Sequence, residues 1–148
     1  IRRSIKFLKK ESDKLGVCYG DIFANIAFKK ELLNFKKKNI DGIAVGYKER
    51  SPFGHVNIKK NLIKNFYEKP QMKDPINIGF YFFKKNLFFN NKINSSNDLE
   101  SYFLPELSKM NKLACHIHNG YHFTVNNQKD LIEVKQLYKK NKNFFKNL

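Results

Sequence analysis

An α/β fold is expected from two features of this 148-residue chain. Two short apolar runs, Leu15-Gly16-Val17-Cys18-Tyr19 and Ile43-Ala44-Val45-Gly46-Tyr47, bracket a stretch with helical spacing from Ala27 to Lys38. Each run is continuous in its apolar character instead of alternating, and strand–helix–strand with such runs marks a parallel sheet covered on both faces. The length allows one domain with a real core. No internal repeat or long linker divides it. A single domain over residues 1–148 is expected, with residues 141–148 fraying.

The elements follow in order. Ile5 and Leu8, with lysines between, make residues 1–11 a short amphipathic helix. The first strand runs into Gly20-Asp21, which places a carboxylate at the carboxyl end of a strand. Asn25 is set to cap the helix whose apolar positions are Phe28, Leu32, Leu33 and Phe35. Asp41-Gly42 turns the chain into the second strand. After the loop Ser51-Pro52-Phe53-Gly54 the period changes to two. His55 to Ile58 and Leu62 to Lys69 alternate around Lys60-Asn61, a β-hairpin that Pro70 ends. Asp74-Pro75 opens a strand over Ile76 to Phe83, and residues 90–97 form a polar loop. Leu99 to Met110 is helical with a break near Pro105. Leu113 to Ile117 and His122 to Val125 are strands, and Lys129 to Lys140 is a helix with Leu131, Val134 and Leu137 inward.

Composition narrows the function. The formal net charge is +16, from 29 Lys+Arg against 13 Asp+Glu. Only Arg2, Arg3 and Arg50 are arginine, and planar recognition of bases and phosphates favours arginine. The lysines are spread along the chain, alongside abundant Asn, Ile and Phe. The charge therefore reads as solvated surface that attracts anionic substrates diffusely, and a specific nucleic-acid binder is the weakest reading. Cys18 and Cys115 sit in apolar runs, so two buried, reduced thiols in a cytoplasmic protein are expected. No apolar stretch reaches the ~18–20 residues that span a bilayer.

Few groups carry chemistry. The phosphate-binding, dinucleotide-binding, zinc-protease and nucleophile-elbow motifs are all absent. Strand periodicity puts His116 and His118 on one face, where surface histidines are the plainer reading than a metal. Asp21 is the most informative carboxylate. Open α/β sheets bind ligands at the carboxyl ends of their strands. An Asp there, with Gly20 permitting close backbone approach, suits Mg²⁺ held by one carboxylate and substrate phosphates. Lys69 of Glu68-Lys69-Pro70 offers a point charge for a phosphate. Asn77 and Gly79 place an amide and a missing side chain on one face of an apolar strand, room for a hydrogen-bonding ligand.

Together the pieces are more specific than singly. Val17 to Asp21, Ser51 to Val56 with Phe53-Gly54, Phe66-Tyr67-Glu68-Lys69-Pro70, Ile76 to Phe83 with Asn77 and Gly79, and Gly120-Tyr121-His122 before a terminal helix follow one another in a pattern. That pattern resembles the sugar-1-phosphate nucleotidyltransferases, including their glucose-1-phosphate cytidylyltransferase and mannose- or heptose-phosphate guanylyltransferase branches, across nearly the whole chain. The resemblance implies a Rossmann-like mixed α/β sheet. It implies transfer of a nucleotidyl group from an NTP to a sugar 1-phosphate, releasing pyrophosphate, for surface polysaccharide synthesis. It assigns Asp21 to Mg²⁺, Lys69 and Glu68 to the sugar phosphate, and Asn77 and Gly79 to the sugar hydroxyls. Gly20 and Gly54 join the substrate-binding set, and Asp21 and Lys69 are the catalytic pair.

Two departures matter. The family's glycine-rich GGxGTR-type loop is absent, so the resemblance implies a carboxyl-terminal portion, incomplete at the amino terminus, with an exposed sheet edge. The family's second metal-binding Asp falls where this chain has Thr124 or Asn126, and Asn126 offers a carbonyl oxygen without charge. A second reading follows: a non-catalytic subunit that pairs through that edge with an amino-terminal segment or a copy of itself. The match of Gly120 to Asp130 with the cytidylyltransferase pattern tilts the nucleotide toward CTP.

Overall fold

The computed structural model describes residues 11–29, 39–89 and 98–140, together with positions 4, 7, 8 and 35. Among them are eight strands: β1 (Lys14–Cys18), β2 (Ile22–Ala24), β3 (Gly42–Tyr47), β4 (His55–Lys59), β5 (Leu62–Tyr67), β6 (Ile76–Lys84), β7 (Leu113–His118) and β8 (His122–Thr124). A π-helical turn (Leu99–Phe103) leads into α1 (Leu104–Lys109), and α2 spans Gln128–Lys140. Most of the helices expected over 1–11 and 27–38, the 90–97 loop and the 141–148 tail lie outside the described residues. Positions 28, 29 and 35 are helical, and Phe35 is buried.

The main sheet has the order β1-β6-β3-β7. β3 and β7 pair in parallel, whereas β6 is antiparallel to both β1 and β3. The parallel β1–β3 pair expected from the strand–helix–strand pattern is therefore opened by an inserted strand, and the sheet is mixed. Burial explains the order. β6 has six consecutive buried residues, Ile78 to Phe83, which only a central strand covered on both faces can satisfy. β1 is only partly buried and takes the edge of the described sheet. Its Cys18 is exposed, as is Cys115 on β7, so neither thiol is the buried one its apolar neighbours suggested.

Both faces are covered. Ala24, Ile26, Phe35, Ile40, Ile43, Val45, Ile78, Phe80 and Phe82 form one core cluster. Leu15, Tyr81, Phe83, Phe88, Phe103 and Leu107 form the other. Phe83 meets Phe88 and Phe103 edge to face, with ring centroids 5.6 and 5.5 Å away. Each such ring, fully buried, contributes roughly 1.5–3 kcal/mol. The helical segment over this second face is anchored at its start. The Asp98 carboxylate accepts from the backbone N–H of Glu100 (2.9 Å) and Ser101 (2.8 Å) and from the Ser101 hydroxyl. These bonds, the Ser101 amide first, hold the Asp98 carboxyl below its usual range. Pro105 stands in the first turn of α1, where its missing N–H costs no bond.

The hairpin β4–β5 projects from the body with every residue of both strands exposed. Lys60 (φ 48°) and Asn61 (φ 62°) make the left-handed two-residue turn that matches strand twist. Ser51 N–H donates to the Pro70 carbonyl (2.9 Å) and Met72 N–H to the Glu49 carbonyl (2.8 Å), closing its base. α2 is capped by Asn127, whose Oδ1 accepts from Lys129 and Asp130 N–H, and it buries Val134.

Candidate active site

The strand registers place the carboxyl ends of β1, β3 and β7 and the amino end of β6 along one edge of the sheet. Every candidate residue from the sequence falls in a segment leaving or entering that edge. Gly20 and Asp21 follow β1, Gly54, Glu68 and Lys69 belong to the hairpin between β3 and β6, Asn77 and Gly79 open β6, and Asn126 follows β8.

Asp21 stands in the turn between β1 and β2, three residues past the last residue of β1. The strand β2 was not anticipated. It pairs antiparallel with β8, Ile22 opposite Thr124, and the Asp21 carbonyl accepts from Val125 N–H at 2.8 Å. That pairing sets Asp21 beside Thr124, Val125 and Asn126, the segment in which the second metal ligand was expected. Both Asp21 and Asn126 are exposed, and a Cβ on Gly20 would meet nothing within 4 Å. The same pairing redirects Asn25. Its Oδ1 accepts from Tyr121 N–H at 2.7 Å and its N–H donates to the Tyr121 carbonyl, so it ties down the 120–121 turn instead of capping a helix. No group of three or more His, Cys, Asp or Glu suited to a metal occurs among the described residues. A single carboxylate with a neighbouring amide oxygen fits a hard cation that keeps its waters and arrives with phosphates, and does not fit a dedicated protein cage.

Gly79 sits at a register shift between β3 and β6 with φ +66°, a conformation glycine adopts without strain. A Cβ there would lie 2.6 Å from the Tyr19 ring, and the Gly79 carbonyl accepts from Tyr19 N–H at 3.1 Å. The bulge thus locks the Tyr19-Gly20-Asp21 turn against β6. Asn77 Oδ1 accepts from Gly79 N–H (3.1 Å), while its Nδ2 donates to Glu100 Oε1 (2.7 Å) and to the Tyr81 hydroxyl. Tyr81 also donates to Glu100 Oε1 (3.0 Å), and its hydroxyl lies 3.4 Å from that of Tyr19. Burial pushes both phenols above the usual tyrosine range. Tyr19, Tyr81 and Glu100 were not singled out from sequence. Tyr19 and Tyr81 read as strand hydrophobes, and Glu100 as one more charge on a helix.

Gly54, Glu68 and Lys69 meet at the hairpin base. A Cβ on Gly54 would come within 2.6 Å of the Phe66 ring and 3.1 Å of Glu68 Oε2. Lys69 is exposed and carries φ 45°, a left-handed backbone that a lysine adopts at a cost of roughly 1–2 kcal/mol. A cavity of 560 Å³ opens beside it, lined in part by His55, Tyr67, Pro70, Met72 and Asp74; Asp21 and Asn77 lie outside its walls. His118 is buried, 6% exposed, with Nε2 3.0 Å from the Tyr121 carbonyl, so it is a core residue of β7 and not a surface one. His122 packs 5.1 Å from the Tyr47 ring, and burial lowers its pKa, opposed by the charge of Glu49.

The sequence matches the family Nucleotidyl transferase over residues 1–144. The chain belongs to the nucleotidyl transferase family. It is 26% identical over 128 residues to the "Probable glucose-1-phosphate cytidylyltransferase" of Bacillus subtilis (strain 168), a match covering 86% of this chain and 50% of that protein. The fold is similar to that of HddC from Yersinia pseudotuberculosis, with a TM-score of 0.62 at 18% identity, covering 93% of this chain and 60% of that one. HddC complexed with GMP-PN gives 0.61 at 19% identity over the same shares. This nucleotidyl transferase chain spans about half the length of the curated relative it matches.

Proposed function

We propose that this chain carries the sugar-phosphate side of a sugar-1-phosphate nucleotidyltransferase site, acting on an NTP and a sugar 1-phosphate to give an NDP-sugar and pyrophosphate. The observation that supports the reading is that the segments bearing Asp21, Lys69, Asn77 and Gly79 all leave or enter one edge of the main sheet. Lys69 supplies positive charge for the sugar's phosphate. Asn77 meets its hydroxyls from the bulge that Gly79, itself buried against Tyr19 and Ile22, makes possible, and Glu68 and Gly54 shape the entry. Asp21, with the Asn126 carbonyl oxygen as a neutral partner, would hold Mg²⁺. When bound, the ion neutralises phosphate charge as the sugar phosphate oxygen displaces pyrophosphate in line. The likeness to the cytidylyltransferase favours CTP and a hexose 1-phosphate, with a cytoplasmic supply of activated sugar for surface polysaccharide as the setting.

The test is a titration of ¹⁵N-labelled chain with glucose 1-phosphate and mannose 1-phosphate. Amide shifts at Gly54, Lys69, Asn77 and Gly79 are expected; shifts confined to other surfaces would overturn the reading. A second reading, a non-catalytic partner subunit, is favoured by one observation, the neutral Asn126 where a second acid belongs. Pyrophosphate release on mixing this chain with CTP, Mg²⁺ and hexose 1-phosphates separates the two.

A further inference from the structure

We propose that Glu100 is the positioning residue of the sugar pocket: it fixes the Asn77 amide in one orientation and leaves only its acceptor oxygen for the ligand. The inference rests on the reading of Asn77 as a sugar contact and adds a residue and a selectivity to it.

The argument is a count of donors and acceptors. Asn77 has two amide protons and one carbonyl oxygen. One proton goes to Glu100 Oε1 at 2.7 Å and the other to the Tyr81 hydroxyl. The oxygen accepts from Gly79 N–H at 3.1 Å, which keeps one lone pair. Flipping the amide would set its NH₂ against the Gly79 N–H and its oxygen against the Glu100 carboxylate, so only one orientation is satisfied. Tyr81, itself held protonated by burial, donates to the same Glu100 oxygen at 3.0 Å. Glu100 is in turn placed by its backbone, whose N–H binds the Asp98 carboxylate. Asn77 is exposed, so what it presents outward is an acceptor with no free proton. Such a group selects a hydroxyl donor over an ether or carbonyl at the matching sugar position.

Glu100→Ala removes the acceptor that orients Asn77. Glu100→Gln keeps Oε1 for both bonds and loses only the charge. Affinities of the full chain for glucose 1-phosphate, mannose 1-phosphate and inorganic phosphate are measured by calorimetry, with Lys69→Met as the control for phosphate binding. For the better-bound hexose 1-phosphate, roughly tenfold weaker binding is expected in Glu100→Ala and less than threefold in Glu100→Gln, with inorganic phosphate unchanged in both. Equal hexose 1-phosphate affinity in Glu100→Ala, or equal loss in the Ala and Gln variants, overturns the positioning role while Lys69→Met still reports on the pocket. Should Glu100→Ala fail to fold, a Glu100→Gln chain more than threefold weaker than the unaltered chain overturns it. If the unaltered chain binds neither sugar phosphate, the functional reading fails, and this inference with it.

Discussion

Lys69 combines a strained backbone with a charge that has no ion pair among the described residues. A non-glycine residue at φ 45° gives up stability that a glycine would recover. Lys69→Gly should therefore stabilise the chain by roughly 0.5–1 kcal/mol in urea denaturation while weakening hexose 1-phosphate binding about tenfold, the scale of one ammonium–phosphate contact near a protein surface. A variant that gains stability and keeps its affinity would remove Lys69 from the site. Gly79 is the opposite case. A methyl group there adds left-handed strain and strikes the Tyr19 ring at 2.6 Å. Gly79→Ala should cost roughly 2–4 kcal/mol, and a loss under about 1 kcal/mol in the same assay would mean that the bulge is not needed. The two phenols give a pH signature. At Tyr19 burial raises the pKa first, with the bonds to Tyr81 and Glu100 adding to it; at Tyr81 burial again leads. A raised folded pKa gives stability that is complete below the unfolded value near 10 and lost as pH climbs through and above it. The unfolding midpoint should hold level from about pH 8 to 9.5 and fall beyond about 10, and Tyr19→Phe should flatten the fall.

At the scale of elements, the local pattern was legible and the pairing was not. Period-two alternation around Lys60-Asn61 foretold the hairpin because both strands are set by short-range chemistry. Turn positions with positive φ suit Asn-Gly best, so Lys60→Asn with Asn61→Gly should stabilise the chain by about 0.5–1 kcal/mol without changing the fold, as read by denaturation and amide shifts. The place of β6 between β1 and β3 was hidden, since burial on both faces makes a strand central without saying which neighbours it takes. Asn25 was misassigned for a related reason. Its side chain obeys a tertiary partner, Tyr121, that the β2–β8 pairing brings beside it. Glu100 had a local signal, the Asp98 cap two residues earlier, but a glutamate in a first helical turn is common on any solvated surface.

For the whole molecule, sequence order carried more than composition. The charge of +16 suggested little beyond a solvated surface that attracts anions diffusely, whereas the order of Gly20-Asp21, Glu68-Lys69-Pro70 and Asn77-x-Gly79 carried the resemblance to the family, and the segments that bear them leave or enter one edge of the main sheet. The proposed Mg²⁺ site belongs to that edge. Asn126→Asp, adding a second carboxylate beside Asp21, should raise Mg²⁺ affinity roughly tenfold in a calorimetric titration, and Asp21→Asn should abolish it. Equal affinity in all three chains would place the ion elsewhere.

The central strand also dictates a timetable. Lys14 finds its partner in Lys84, so β1 waits until the chain beyond Tyr47 and the hairpin has been made before it meets its neighbour among the described strands. Closing so long a loop delays assembly toward the millisecond-to-second range and leaves a bare ribbon of backbone in the interval. Slowing translation between Tyr47 and Ile76 should lengthen that vulnerable interval and lower soluble yield, with no change in the finished protein.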